Sequence, residues 1–291
     1  NDDLHTTVSA EAIRFALRYR FQLQGLKPLN RTYDGVMGKL NYVDEKRVHW
    51  NPMVPGGVPI DDDVMGFMDA AAAKVEQEDQ EDGDDAVAKE TVAPAKKKAK
   101  AKGKTTKRTS PLSIGRAVSL RPYRGEISYN AVSGEKEKGK LSLYSAEMHT
   151  TEYQYSFGLN LGDIVQKANI GHVIDALFDP PAVAGNHARF AYDFSPSSVV
   201  LRITSAHSSR IQNCFVHDEQ SHGYSIKKLV DRVRSGDVPA AEILVGGDVV
   251  ATAEGKELEE LKCFVNEGVD AVAKEARARI EPLAAALLAR H

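Results

Sequence analysis

The chain has 291 residues, 42% of them apolar and 27% charged, with a formal net charge of −3, a balance that excludes a uniformly basic nucleic-acid binder and leaves room for one large or two modest domains. No apolar run approaches the roughly 18 residues of a membrane-crossing helix, and no basic start followed by an apolar stretch marks a signal peptide. Two cysteines, Cys214 and Cys263, are too few for a disulfide framework or a thiolate metal site, so a reduced, cytoplasmic setting is expected.

The first predicted element is a helix from Val8 to Phe21, on which Ala12, Ile13, Ala16 and Leu17 recur at helical spacing. Ser9 is placed to cap it, Glu11 suits the positive end of its dipole, and Gly25 and Pro28 stop it. Arg14 and Arg18 lie one turn apart and project on one side, as a solvated basic face or as a contact for a polyanion. The chain opens on Asn1 with no strand-like segment ahead of this helix, which suggests that some N-terminal sequence is missing.

Residues 29–68 are punctuated by Asn30, Asp34, Gly35, Gly38, Pro52, Pro55, Gly56, Gly57 and Pro59. Trp50, Phe67, Met53, Met65 and Met68 give the stretch something to bury, which suits a small packed lobe better than a free loop. An acidic block, Glu76–Asp85, and a basic series, Lys96–Lys98, Lys100, Lys102, Lys104, Lys107 and Arg108, follow. With little apolar surface to offset its ordering entropy, residues 75–106 are expected to form a disordered, solvated insertion.

From Ser110 the pattern turns to short strands at Ile114–Leu120, Glu126–Tyr129, Lys140–Tyr144 and Glu152–Leu161, the last with Tyr153, Tyr155, Phe157 and Leu159 on one side. A helix is expected over Val165–Phe178, strands over Ser198–Ser205 and Ile211–Val216, a helix over Tyr224–Arg234 and a strand over Ala241–Val245. The tail reads as one long helix from Glu257, carried by Leu258, Leu261, Val265, Val269 and Val272, with a break near Pro282. Helices and strands interleave without a repeated βαβ period, so the fold class is α+β.

A search for an active site finds no nucleophile elbow, zincin helix, phosphate loop or dinucleotide fingerprint. His217, Asp218, Glu219 and His222 form a local polar cluster that reads more readily as an exposed loop than as a metal site. Asp61, Asp62 and Asp63 could hold a divalent cation, or form a turn or cap for a helix beginning at Val64, and the apolar Val64–Met68 favours the cap. No catalytic residue, metal or cofactor is therefore assigned.

Two runs point instead to binding: Lys107-Arg108-Thr109-Ser110-Pro111, and Ser119-Leu120-Arg121-Pro122-Tyr123-Arg124-Gly125-Glu126. Cations that neutralise phosphates, hydroxyls that hydrogen-bond phosphate or 2′-hydroxyl groups, and turn residues alternate around one strand, as a grip on a sugar-phosphate backbone requires. Tyr123 could stack on a base or belong to the core.

Lys107–Gly125 resembles the Cas seven family of DevR-like type, the repeated guide-RNA backbone subunits of type I CRISPR Cascade complexes, with an I-B-like character. Thr7–Arg18, Asp63-Val64-Met65-Gly66-Phe67-Met68, Glu147–Tyr155 and Gly185-Asn186-His187-Ala188-Arg189 resemble the same family, in the same order. The resemblance implies an RRM-related, ferredoxin-like palm (residues 1–28 and 107–291), a finger insertion (29–106) and a β-hairpin thumb around 127–143 with its tip at Gly134–Gly139. The family's palm begins with a strand not found here, and the charged segment is treated as a variable part of the fingers.

The implied function is non-catalytic: copies assemble as a helical filament along crRNA, grip its backbone beside other Cascade subunits, and present the spacer to target DNA in antiviral defence. Carried onto this sequence, Arg14, Arg18, Lys107, Arg108, Thr109, Ser110, Arg121 and Arg124 would contact RNA, with His149, Thr150 and Arg189 as further contacts. The rival reading is a metal-dependent ribonuclease of a type III-like complex using Asp61–Asp63. A sequence-specific DNA-binding regulator is a third, weakened by the lack of a helix-turn-helix pattern.

Overall fold

The structure, a computed structural model, describes residues 3–46, 50–68, 107–131, 143–181, 193–219 and 223–288. The charged segment 75–106, the hairpin tip Gly134–Gly139, the Gly185–Arg189 run and His222 lie outside the described residues.

Helix α1 (Ala10–Leu23) starts where Ser9 turns extended and its Oγ accepts the Ala12 N–H, satisfying one of the unpaired donors of a helix start. Its stripe of Ile13, Ala16, Leu17 and Phe21 is buried. Strand β1 (Thr7–Val8) comes directly before it and pairs antiparallel with β7 (Ala117–Ser119), so a strand does precede the helix. Two residues are too few to show an alternation, which is why the sequence pattern missed it.

A hairpin of β2 (Arg31–Asp34) and β3 (Lys39–Tyr42) follows. It is pinned to α1 by the Gln22 side chain, which bonds both the N–H and the carbonyl of Tyr33, and by the mutual packing of Phe15, Tyr19 and Tyr33. The lobe then buries Val58, Ile60, Val64 and Met65 around α2 (Ile60–Met65) and closes with β4 (Phe67–Met68) against β5 (Lys107–Arg108). Of the methionines expected to fill this lobe only Met65 does so; Met53 and Met68 are 88% and 67% exposed.

Beyond β5 the chain builds a long antiparallel ribbon, to which β1 adds a third strand at β7. In its lower part β6 (Leu112–Ile114) pairs with β11 (Phe157–Leu159), and β7 with β10 (Tyr153–Gln154). The Gly115 N–H joins the two steps by bonding the Ser156 carbonyl at 2.7 Å. After an interruption at residues 121–125 and 149–152, β8 (Glu126–Ala131) and β9 (Leu143–Met148) continue it as an antiparallel pair. Helix α3 (Asn169–Phe178) buries Ile170, Val173, Ile174 and Leu177 in a core shared with Leu17 and Phe21 of α1.

The C-terminal part is organised by a three-stranded sheet in the order β12 (Ser198–Arg202), β15 (Ile243–Gly247), β16 (Phe264–Asn266). A hairpin, β13 (Val216–Asp218) with β14 (Gly223–Ser225), and helix α4 (Lys227–Arg234) lie between the first two strands in sequence. Alternation along β15 divides two cores: Leu244 enters the one containing α3, while Ile243 and Val245 enter a second with Leu229, Val230 and Leu258.

The tail departs from the expected single helix. Helix α5 (Ala253–Glu260) ends at its C-cap Leu261, Lys262 takes a left-handed φ of 70°, and β16 pairs parallel with β15 before α6 (Val269–Leu288) begins. A three-residue strand inside a helical periodicity is visible only through its sheet partner. Helix α6 also runs through Pro282, because Ala276, Ile280 and Ala284 pack on the core across it. Among the described residues no helix is long and apolar enough to cross a membrane.

Two tests address this packing. Leu258→Ala leaves a void in the second core and should lower the unfolding free energy by about 2–5 kcal/mol in a denaturant titration, whereas the 45%-exposed Leu283 replaced by Ala should have little effect. Burial pushes both the Cys214 and the Cys263 thiol up to about 11. Because only the thiolate is nucleophilic, neither should be alkylated in native protein near neutral pH, and both should react once the chain is unfolded.

Candidate nucleic-acid interface

The site is built around α2, whose sequence places three aspartates in one turn. Asp61, Asp62 and Asp63 are all 0% exposed. Burying three adjacent carboxylates is costly unless each meets close donors, and the fold brings donors from distant parts of the chain. Asp61 accepts the backbone N–H groups of Asn30 at 2.8 Å and Arg31 at 3.0 Å, and the Arg31 Nε at 3.2 Å. Asp62 accepts Asn30 Nδ2 at 2.6 Å and Arg31 Nη2 at 3.0 Å. Asp63 accepts Arg108 Nη2 at 2.7 Å, the N–H groups of Val165 and Gln166 at 2.9 and 3.0 Å, and Asn169 Nδ2 at 2.9 Å.

This changes the reading of the aspartates. They do not cap a helix starting at Val64; the helix starts at Ile60 and carries them inside it. Their engagement in the interior leaves no carboxylate of the three facing solvent, which disfavours the ribonuclease alternative. Among the described residues no group of three or more His, Cys, Asp or Glu side chains is arranged to hold a metal ion. His217 of the other carboxylate–histidine cluster bonds the Gly223 carbonyl at 2.9 Å within its hairpin.

Several cations singled out in the sequence serve the same node. Arg14 donates to the carbonyls of Leu112 at 3.1 Å and Met65 at 2.5 Å and to Ser110 Oγ at 3.2 Å. Arg18 is largely buried, with Nη2 on the Met65 sulfur and Nε, 3.9 Å from Asp61, lacking a hydrogen-bond partner among the described residues. Burial first, and then the charge of Arg31, push its guanidinium down to about 10. Arg108 pairs with Asp63 and also reaches the Asp163 carbonyl at 2.6 Å, and Ser110 Oγ donates to the Leu112 carbonyl at 2.6 Å. Arg31, a bridge between two of the carboxylates, carries no local sequence signal; its partners lie 30 residues away.

Strand alternation leaves the neighbours of Arg108 outside. Lys107 and Thr109 are exposed while Arg108 points in. A second group gathers where the ribbon is interrupted. Arg121 pairs with Glu152 at 2.8 Å. Tyr123 meets His149 edge-on at 5.2 Å and donates its hydroxyl to Glu147 at 3.1 Å. His149 Nδ1 is 3.1 Å from Thr6 Oγ1, and the Tyr123 N–H bonds the Leu4 carbonyl at 2.6 Å. Arg124 and Thr150 stand exposed at the same junction. Arg121, Arg124, His149 and Thr150, far apart in sequence, are therefore brought together, apart from the group at Lys107–Ser110; Arg189 lies outside the described residues.

An open groove of about 2430 Å³ runs beside the ribbon and β12. Among the described residues its charged lining is Glu147, Glu152, Asp193, Glu242 and Arg202, with Arg202 already paired to Glu242 at 2.7 Å. His149 and Thr150 line the same groove, so the group at the ribbon's interruption stands at its edge, with Arg121 held on Glu152.

The family described as CRISPR-associated negative auto-regulator DevR/Csa2 matches residues 59–283. A CRISPR-associated protein Cas7/Cst2/DevR of Myxococcus xanthus (strain DK1622) is 36% identical over 288 residues, covering 97% of this chain and 87% of the relative. In fold, the chain is similar to one from a solved "CRISPR RNA-guided surveillance complex, pre-nicking", with a TM-score of 0.52, 13% identity, and coverage of 94% and 90% of the two chains.

Removing one partner of a buried ion pair leaves the other charge without compensation. Asp63→Ala, which also frees two backbone N–H groups and Asn169, should therefore lower stability by about 3–5 kcal/mol, read as a shift of the denaturation midpoint, and added Mg²⁺ should not restore it.

Proposed function

The chain belongs to the CRISPR-associated DevR/Csa2 family, and on that premise we propose that it is a non-catalytic backbone subunit of a Cascade-type surveillance complex. Copies line up along crRNA, grip its sugar-phosphate backbone, and present the spacer for pairing with target DNA, beside other Cascade subunits. In this reading residues 1–28 and 107–291 form the palm, 29–106 the fingers, and the β8–β9 hairpin the thumb. The observation that carries it is the convergence of Arg121, Arg124, His149 and Thr150 at the base of the ribbon. Cations and a hydroxyl suit phosphate and sugar.

Contact by Lys107, Thr109, Arg121, Arg124 and Thr150 fits their exposure, whereas Arg14, Arg18, Arg108 and Ser110 support the surface from within. The non-catalytic reading is supported by the burial of Asp61–Asp63, which keeps these three carboxylates from reaching RNA at the surface.

The test is affinity for unrelated single-stranded RNAs over a salt series. Lys107→Ala, Arg121→Ala and Arg124→Ala should each weaken binding by a similar factor for every sequence. Each lost phosphate contact should also flatten the plot of log affinity against log salt by about 0.7. Weakening confined to one sequence would contradict backbone recognition. Complementary RNA incubated with the protein, crRNA and Mg²⁺ should remain uncut, and regular cleavage abolished by Asp63→Asn would refute the non-catalytic reading.

A further inference from the structure

Trp50, the only tryptophan of the chain, stands beside the strand on which the lobe re-enters the fold. The Arg108 guanidinium carbon lies over its ring, 5.3 Å from the centroid. Phe67 meets the ring edge-on, with centroids 5.5 Å apart and planes at 68°. Neither neighbour is loose. Arg108 Nη2 is fixed on the Asp63 carboxylate, and its Nε and Nη2 on the Asp63 carbonyl at 3.3 and 3.1 Å. Phe67 is fixed by the pairing of β4 with β5, in which it stands opposite Arg108.

The result is an immobilised indole that is partly exposed instead of buried in a core. The exposed Lys107 and Thr109 flank Arg108 on the same stretch, and neither side chain is engaged by another described residue. Where α1 meets the β2–β3 hairpin, by contrast, Phe15, Tyr19 and Tyr33 spend their faces and edges on one another.

We propose that Trp50 is a stacking site for an unpaired nucleobase of single-stranded nucleic acid, with Lys107 and Thr109 on the adjoining phosphate and sugar. A pre-ordered aromatic surface loses little entropy on stacking and accepts any base, since every base has a π face. The site complements a backbone grip without adding sequence preference. It rests on the reading that the re-entry junction meets RNA.

The experiment uses the full chain with two probes of equal length and charge: an ordinary single-stranded RNA and an abasic oligonucleotide. Selectively excited tryptophan emission should be quenched by the RNA and much less by the abasic strand. Trp50→Leu should weaken RNA binding by between about five- and a hundredfold, leave the salt dependence unchanged, and leave the abasic strand's affinity as it was. Trp50→Phe, which keeps a ring, should retain part of the affinity and guards against a loss caused by misfolding. An equal loss for both probes would mean that Trp50 merely supports Lys107, and would overturn the site. Salt-dependent RNA binding with silent tryptophan emission would overturn the stacking site and leave the backbone reading standing. Failure of the wild-type chain to bind RNA would overturn both.

Discussion

Three carboxylates in a row inside a protein impose a condition on everything around them: each must be met by donors that only the fold can supply. Asp61, Asp62 and Asp63 draw in Asn30 and Arg31 from the start of a hairpin, Arg108 from the re-entering strand, and Val165, Gln166 and Asn169 from the approach to α3. A buried ion pair gives little net stability over a well-packed apolar contact, yet losing one partner is severe. Any arrangement in which the lobe docks differently leaves a charge stranded, so the lobe, α1, β5 and α3 are fixed together.

That constraint shapes the surface as well. With Arg108 turned inward to Asp63, the two-residue period of an extended chain sends Lys107 and Thr109 outward, and the anchored guanidinium supports Trp50 from below. The internal cations and the external ones thus belong to one device. Arg14 works similarly, tying the carbonyls at the end of α2 and in β6 to α1. The second exposed group depends on a different feature, the interruption of the ribbon, where the N-terminal residues Leu4 and Thr6 hold Tyr123 and His149 in place.

The legible parts of the fold were those with a local cause. Ser9, Glu11 and the spacing of Ile13, Ala16, Leu17 and Phe21 announce α1 because capping and burial act within a few turns. The alternation of Tyr153, Tyr155, Phe157 and Leu159 announces the ribbon for the same reason. The tail was misread because Leu258, Leu261 and Val265 keep a helical spacing that ignores β15, the partner that makes Phe264–Asn266 a strand. Met53 and Met68 look like core residues to composition, but which apolar side chain is covered depends on what packs above it. The Asp61–Asp63 run was recognised as chemically unusual, yet carboxylates that bind a metal, cap a helix or neutralise buried arginines look the same in one dimension.

By itself the sequence determined the α+β class, the first helix, the ribbon strands, and, through its chain-wide likeness, membership of a CRISPR-associated family. These depend on local periodicity and on patterns of residues that survive in linear order. Only the tertiary structure decided that Arg14, Arg18 and Arg108 face the interior, that Lys107 and Thr109 face solvent, and that Arg121, Arg124, His149 and Thr150 share one junction. The reason is physical: a charge is committed inward or outward by the partners that burial forces on it, and for these residues the partners lie tens of residues away.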